Sequence, residues 1–134
     1  MAWLSKYQPY LLSILRIVAG LLFLEHGMQK ILHFPPMPAA MASAIPPKMM
    51  PIIMAAGIVE LVGGALITVG LFTRLAAFIC AGEMAVAYWM VHFPRGGFFP
   101  AVNGGDGAIL FCFIFLFLAA AGPGPLALSR SEKI

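Results

Sequence analysis

The feature that most constrains the fold is an apolar run, residues 16–33, that is long enough to cross a membrane and yet contains charged residues. It reads RIVAGLLFLEHGMQKILH and includes Arg16, Glu25, His26 and Lys30. About 20 apolar residues in a helix span the hydrocarbon core of a bilayer, where a charged side chain costs roughly 2.5–3.5 kcal/mol. Such residues must therefore pair with groups on neighbouring helices or line a site.

The composition assigns the chain to the integral membrane proteins. Of its 134 residues, 62% are hydrophobic and 10% are charged, against about 45–50% and about 25% in a soluble domain. The length allows about four spans of roughly 20 residues, so we expect a single membrane domain over residues 1–134 with the lipid bilayer as its main partner. The net charge of +3 has no Lys/Arg cluster, which argues against nucleic-acid binding.

The apolar runs predict an all-α fold, a bundle of four transmembrane helices. The expected spans are about residues 10–32, 49–71, 74–92 and 105–121. The loop 34–48 contains two Pro-Pro pairs, which forbid a regular helix through it. Gly70 and Thr73 bracket a very short turn, with Thr73 as the expected N-cap, so the second and third spans should form an antiparallel hairpin.

The distribution of basic residues predicts the orientation. We take the first span as retained rather than cleaved, and four spans then put both termini on one side. That side carries Lys6, Arg74, Arg130 and Lys133, and the other carries Lys30, Lys48 and Arg95. The excess is small, but its direction predicts cytoplasmic termini. Tyr88 and Trp89 are expected in the aromatic belt at the far end of the third span.

Polar residues of different spans gather in the outer half of the predicted bundle. At about 1.5 Å of rise per residue, we expect an outward-facing pocket for a substrate. Its residues would be Glu25, His26, Lys30, His92, Asn103 and Asp106. Asn103 and Asp106 are also spaced as the N-cap and third residue of the last helix. The alternative is purely structural: the charged groups neutralise one another and fix the helix register.

A second polar set lies nearer the midplane and predicts a buried ion-pair network. Glu60 and Glu83 are close to the middle of their spans, and Arg16 lies toward the cytoplasmic side. A guanidinium can bridge two carboxylates, so we expect Arg16 to pair with Glu60 or Glu83.

Cofactor signals in the residues are weak. Three histidines and several loop methionines are compatible with copper, but no tight ligand spacing supports a metal site, and we predict none. A quinone headgroup could sit near His26 or His92 with its tail among the phenylalanines of the last span. Cys80 and Cys112 form no CxxC pair, which excludes a thioredoxin-like dithiol.

Three segments together resemble the DoxX family of small four-helix membrane proteins. They are LRIVAGLLFLEHGMQKI, GIVELVGGALITVGLFTRLAAFICAGEMAVAY and NGGDGAILFCFIFLFLAAAGPGP. They cover most of the chain in order. The resemblance implies a four-helix bundle in a bacterial plasma membrane. The matching polar positions include Arg16, Glu25, His26, Lys30, Glu60, Glu83, His92, Asn103 and Asp106, with Asp106 standing where Glu is common.

The resemblance also implies a redox context. Members of the family are linked to a thiosulfate–quinone oxidoreductase and to assemblies of a superoxide dismutase with a sulfurtransferase. We therefore expect a membrane subunit of a redox or thiol-stress system that binds a quinone or a small sulfur compound and works with soluble redox partner proteins or as a homo-oligomer. The alternatives are a non-enzymatic scaffold that recruits soluble redox partners, and a small-molecule or proton conduit. The family pattern supplies no catalytic residue, so whether the chain is an oxidoreductase subunit stays open.

Overall fold

The chain folds into an all-α bundle. The computed structural model describes residues 1–130, is 77% helical, and contains no strand in that range. The long helices are α1 (Gln8–Ile31), α2 (Met50–Val69), α3 (Thr73–Ala87) and α4 (Asp106–Ala121). The prediction of an all-α fold is confirmed, and each helix overlaps one expected span. Lys133, used above for orientation, lies outside the described residues.

Three of these helical segments are long and apolar enough to cross a membrane. They are Gln8–Ile31, Pro47–Val69 and Thr73–Gly96. The fourth, α4, is apolar but has only 16 residues. At about 1.5 Å per residue it is about 24 Å long, slightly less than the roughly 30 Å of a hydrocarbon core. The bundle thus has three to four helices that could span a membrane.

Short helical turns lie before the first long helix and between the long helices. They are Ala2–Ser5, Ala39–Ser43, the 3₁₀ turn Pro47–Met49, the π-helical turn Tyr88–His92, Phe93–Gly96 and Pro100–Asn103. The loop 34–48 has no long helix, as its Pro-Pro pairs predict. The π-helical turn continues α3 without a break, and such turns occur frequently at functional sites.

Glycines allow α1 and α2 to pack as a close antiparallel pair. A Cβ at Gly27 would lie 2.3 Å from the backbone nitrogen of Leu61, and one at Gly64 would lie 2.6 Å from that of Leu24. Small residues of this kind let helix backbones approach each other in membranes. The two contacts determine the register of the pair. Residues near 27 of α1 therefore lie beside residues near 61 of α2.

The turn between α2 and α3 has the predicted glycine but not the predicted cap. Gly70 ends α2 in the left-handed region, with φ 74°, which costs glycine little. The N-cap of α3 is Phe72, with φ 49°, rather than Thr73. The Thr73 prediction is wrong because the turn is one residue tighter than expected, and Thr73 is already helical. Its buried hydroxyl has no hydrogen-bond partner among residues 1–130.

Helix α2 contacts α3 at a cysteine, and α1 contacts α4 through aromatic rings. A Cβ at Gly63 of α2 would lie 2.4 Å from Cys80 Sγ of α3. Phe23 of α1 contacts the rings of Phe111 and Phe115 in α4, with centroids 5.5 and 4.7 Å apart. Phe23 and Phe115 are fully buried. These contacts bring the middle of α1, α2, α3 and α4 to one level, and the polar residues of the spans lie around it.

Candidate functional site: a buried acid–base cluster

A lysine and a glutamate pair inside the helical bundle. Lys30 Nζ of α1 lies 2.5 Å from both carboxylate oxygens of Glu60 in α2. The Lys30 side chain is 22% exposed and that of Glu60 only 2%. The pair forms because α1 and α2 are close here: a Cβ at Gly57 would lie 2.9 Å from Lys30 Cβ. The helix packing thus buries an ammonium–carboxylate contact in an apolar bundle.

A second carboxyl group lies beside this pair. Glu83 follows Cys80 by three positions on α3, and Glu60 precedes Gly63 by three positions on α2. Since Gly63 and Cys80 touch, the two acids lie at one level, and Glu83 interacts electrostatically with Glu60 and Lys30. Its Oε2 is buried and has no hydrogen-bond partner within the described range. We call Lys30, Glu60 and Glu83 the acid–base cluster.

A separate polar group lies at the end of α3, in the π-helical turn. His92 Nδ1 is 3.3 Å from the backbone oxygen of Asn103, and Tyr88 OH donates to the Phe98 carbonyl at 2.5 Å. The Asn103 amide donates to Gly97 O at 2.7 Å and to Tyr88 OH at 3.3 Å. Tyr88 is 7% exposed, so it is a buried member of this group rather than part of an aromatic belt.

The expected capping role of Asn103 is wrong. Asn103 ends the short helix Pro100–Asn103, and Gly105 precedes α4 with no side-chain cap. Asn103 Oδ1 instead accepts a hydrogen bond from Gly105 N at 2.8 Å. Asp106 is the first residue of α4, where a carboxylate suits the helix dipole. Asn103 therefore holds the loop that leads into α4.

The six residues expected in one pocket divide among different places. Lys30 belongs to the acid–base cluster, and His92 and Asn103 contact each other. His92 follows Glu83 by nine positions, which is about 13 Å along a helix. The remaining three, Glu25, His26 and Asp106, are exposed on the surface of the bundle, and His26 also interacts electrostatically with Glu60. The depth estimated from the sequence could not separate these groups, because it does not tell which side of its helix each residue faces.

Arg16 does not take part in the predicted ion-pair network. Its guanidinium donates to the carbonyls of Pro123 at 2.8 Å, of Ile67 and Thr68 at 2.6 Å each, and of Leu126. The ion pair that the described residues form at Glu60 is with Lys30. The prediction fails because the antiparallel register places Arg16 beside the end of α2, whereas Glu60 lies beside Gly27.

An apolar groove opens between α2 and α3, next to the acid–base cluster. Its volume is about 250 Å³, and its lining residues are Ile58, Val59, Val62, Gly63, Leu66, Ala76, Ile79 and Cys80. No residue of the acid–base cluster lines the groove, but the lining residues Gly63 and Cys80 are each three positions from Glu60 and Glu83 in sequence. Its lining suits a hydrocarbon chain rather than a polar molecule.

The histidines, cysteines and acids are not arranged as a metal site. Across residues 1–130, no three of these side chains come together in a way that could hold a metal ion. Cys80 and Cys112 are free thiols. What the arrangement does offer is a set of proton-exchanging groups and one cation in a low-dielectric environment.

The chain belongs to the DoxX family. The DoxX family model matches residues 11–93, a range that contains the whole acid–base cluster and the π-helical turn. A protein of Haemophilus influenzae described as uncharacterized is 44% identical over 110 residues, which is 81% of this chain and 80% of that protein. No solved structure matches the chain. The family and the apolar helices together make it a multi-pass membrane protein.

Proposed function

We propose that this protein is the membrane subunit of a redox system and that it binds a quinone at the acid–base cluster. One observation carries the proposal: Lys30, Glu60 and Glu83 lie together within spanning helices, and Glu83 has a buried oxygen without a partner. Ionisable groups inside a membrane are costly, and they commonly mark substrate sites or proton paths. A structural ion pair needs only two of the three groups.

The surroundings of the cluster favour a quinone over a small sulfur anion. The charge of Lys30 is already neutralised by Glu60, with both oxygens 2.5 Å from Nζ, so little attraction remains for thiosulfate. The apolar groove of about 250 Å³ would accept part of an isoprenoid tail and direct the headgroup toward Glu83. The carboxyl and ammonium groups would then hydrogen-bond the two oxygens of the headgroup.

The chemistry of the proposed site follows from the roles of its side chains. A bound quinone would supply the exchange of two electrons and two protons. Glu83, without a partner, accepts or returns a proton at its carboxyl oxygen. Lys30 donates hydrogen bonds toward a developing negative oxygen, and Glu60 keeps Lys30 oriented. The two electrons would be exchanged with a soluble redox partner protein, which gives them up when the quinone is reduced and takes them when the quinol is oxidised.

A second proposal concerns location: a bacterial plasma membrane with both termini in the cytoplasm. The family and the bacterial relative support it. So does the sequence, in which the segments on the side of the termini carry Lys6, Arg74, Arg130 and Lys133 against Lys30, Lys48 and Arg95 on the other side. At this end Arg16, Gly122 and Pro123 are buried, and the Leu126 backbone nitrogen donates to the Ser13 hydroxyl. This packing disfavours a conduit through the bundle.

The test is a binding titration in a lipid environment. We expect decylubiquinone to bind saturably, at about one molecule per chain, to protein held in lipid nanodiscs, with empty nanodiscs as the baseline for partitioning. Replacement of Glu83 by Gln should weaken this binding by about tenfold, as expected for loss of one buried ionisable hydrogen-bond partner. Asp106→Asn is the matched control, because it removes an exposed carboxylate at the start of α4 and should leave binding unchanged.

Two outcomes would contradict the proposal. If quinone uptake matches that of empty nanodiscs, or if Glu83→Gln and Asp106→Asn behave alike, the cluster is a structural ion pair. Purification with a stable soluble redox protein and no small molecule would then favour the scaffold function.

A further inference from the structure

One face of α1 is left uncovered by the rest of the chain. The face consists of the exposed residues Leu11, Leu15, Val18, Leu22 and Glu25 and ends at the half-buried Gln29. Their spacings alternate between four and three residues, which is the a/d pattern by which two helices pack along a common seam. Val18 and Leu22, in its centre, are 50% and 49% exposed.

Two ionisable residues interrupt this face in the outer half of the membrane. Glu25 and His26 are both exposed, and their neighbours show how deep they lie. Leu24 packs against Gly64, and the His26 ring is 6.2 Å from the ring of Phe111, the sixth residue of α4. The described ion pair joins Lys30 to Glu60 and so does not neutralise Glu25. A carboxylate facing hydrocarbon at this depth is costly, and it is too short to reach the headgroups.

We propose that this face binds a second copy of the chain, in a two-fold dimer whose axis is normal to the membrane. Membrane insertion gives both copies the same direction, so the two α1 helices run parallel. Glu25 and His26 are adjacent in sequence and about 100° apart around the helix, one on each side of the Leu22 position. A two-fold axis through the seam then places Glu25 of each copy against the imidazole of the other, at nearly the same height.

The charge complementarity of Glu25 and His26 favours a second copy of the chain over other occupants of this face. One acid and one base beside the seam are matched by the same pair rotated by 180°, as an isologous interface requires. The apolar residues Leu15, Val18 and Leu22 would fill the seam below. This inference stands on the exposed face of α1 alone and does not depend on what the acid–base cluster binds.

The first test is disulfide trapping in native membranes. Leu22→Cys and Val18→Cys lie in the seam, so mild oxidation should link each to the same residue of the second copy. Phe78→Cys is the matched control: Phe78 is 63% exposed on α3, and it lies at the depth of Leu22 because Cys80 and Leu24 contact adjacent residues of α2, Gly63 and Gly64. The unaltered chain, with Cys80 and Cys112, gives the baseline. We expect at least about tenfold more dimer from the seam positions than from Phe78→Cys, since a/d positions of paired helices lie within disulfide reach.

The second test addresses the charge pairing. Glu25→His and His26→Glu each place like groups across the axis, and each should weaken the dimer by about tenfold because two symmetry-related pairs are lost. The double variant Glu25→His/His26→Glu restores an acid–base pair on each side, so the dimer should return. Native mass spectrometry of the unaltered chain measures the same dimer without any substitution.

The results distinguish a second copy of the chain from lipid or another membrane protein on this face. A monomeric mass for the unaltered chain, or equal cross-linking of Leu22→Cys and Phe78→Cys, would overturn the proposal in favour of lipid. Seam cysteines linked to a different membrane protein would overturn it in favour of that partner. Failure of the double variant to recover would show that the Glu25–His26 complementarity does not hold the face.

Discussion

Arg16 shows how backbone carbonyl groups can help to stabilise a buried charge. The side chain is fully buried, and it donates to carbonyls at the end of α2 and in the segment after α4. The last carbonyls of a helix have no intrahelical partner, so a planar guanidinium with five donors satisfies several of them at once. Arg16 therefore ties the segment 122–130 to the bundle.

Replacement of Arg16 by Lys tests this role. An ammonium has three donors and no fixed fork, so carbonyls such as those of Pro123 and Leu126 would lose their partners, at about 1–3 kcal/mol for each buried group left unsatisfied. We expect a lower melting temperature in detergent and faster proteolysis within residues 122–130. The exposed Arg95→Lys serves as the control and should melt like the unaltered protein. If the two variants melt alike, Arg16 contributes only its charge.

At the scale of elements, glycine contacts determine which polar residues meet. Because Gly27 and Gly64 allow backbone contact between α1 and α2, Lys30 reaches Glu60. The contact between Gly63 and Cys80 in turn brings Glu83 to the same level. The acid–base cluster is therefore a consequence of helix–helix distance, and a small increase in that distance would separate its members.

Substitution of Gly27 by Ala makes that dependence measurable. The added Cβ would lie 2.3 Å from a backbone nitrogen of α2, which cannot move away as a side chain can. We expect a loss of about 1–3 kcal/mol in stability, typical of overpacking, together with weaker decylubiquinone binding. Gly82→Ala is the control, since a Cβ at Gly82 of α3 meets nothing within 4 Å. Its melting temperature should be unchanged or slightly higher, because Ala favours a helix. A Gly27→Ala protein as stable as Gly82→Ala would contradict the close packing.

At the scale of the whole molecule, the sequence predicts the helices well and the site only in part. Apolar runs and the Gly70 stop signal depend on local chemistry, so the four helices and the short α2–α3 turn could be predicted. The partner of Glu60 could not, because it depends on the register of α1 against α2. The sequence pattern predicts local roles for Asn103 as a cap and for Tyr88 in the aromatic belt, whereas the π-helical turn and the loop before α4 bury them together. Tyr88 lies four positions before His92, and that spacing is the signal that could have linked them.

The last prediction concerns which end of the bundle faces the cytoplasm. Ser129 lies beside the end of α2, where its backbone nitrogen bonds Gly70 O at 3.0 Å, and Ser43 lies in the loop before the start of α2. The two residues are therefore at opposite ends of the bundle. With the termini in the cytoplasm, a membrane-impermeant thiol reagent added to spheroplasts should label Ser43→Cys and leave Ser129→Cys unlabelled until the cells are lysed. Cys80 is buried and Cys112 half-buried, so the unaltered chain gives the background. Labelling of Ser129→Cys alone in intact spheroplasts would reverse the orientation, and labelling of both positions from one side would contradict the topology of the bundle itself.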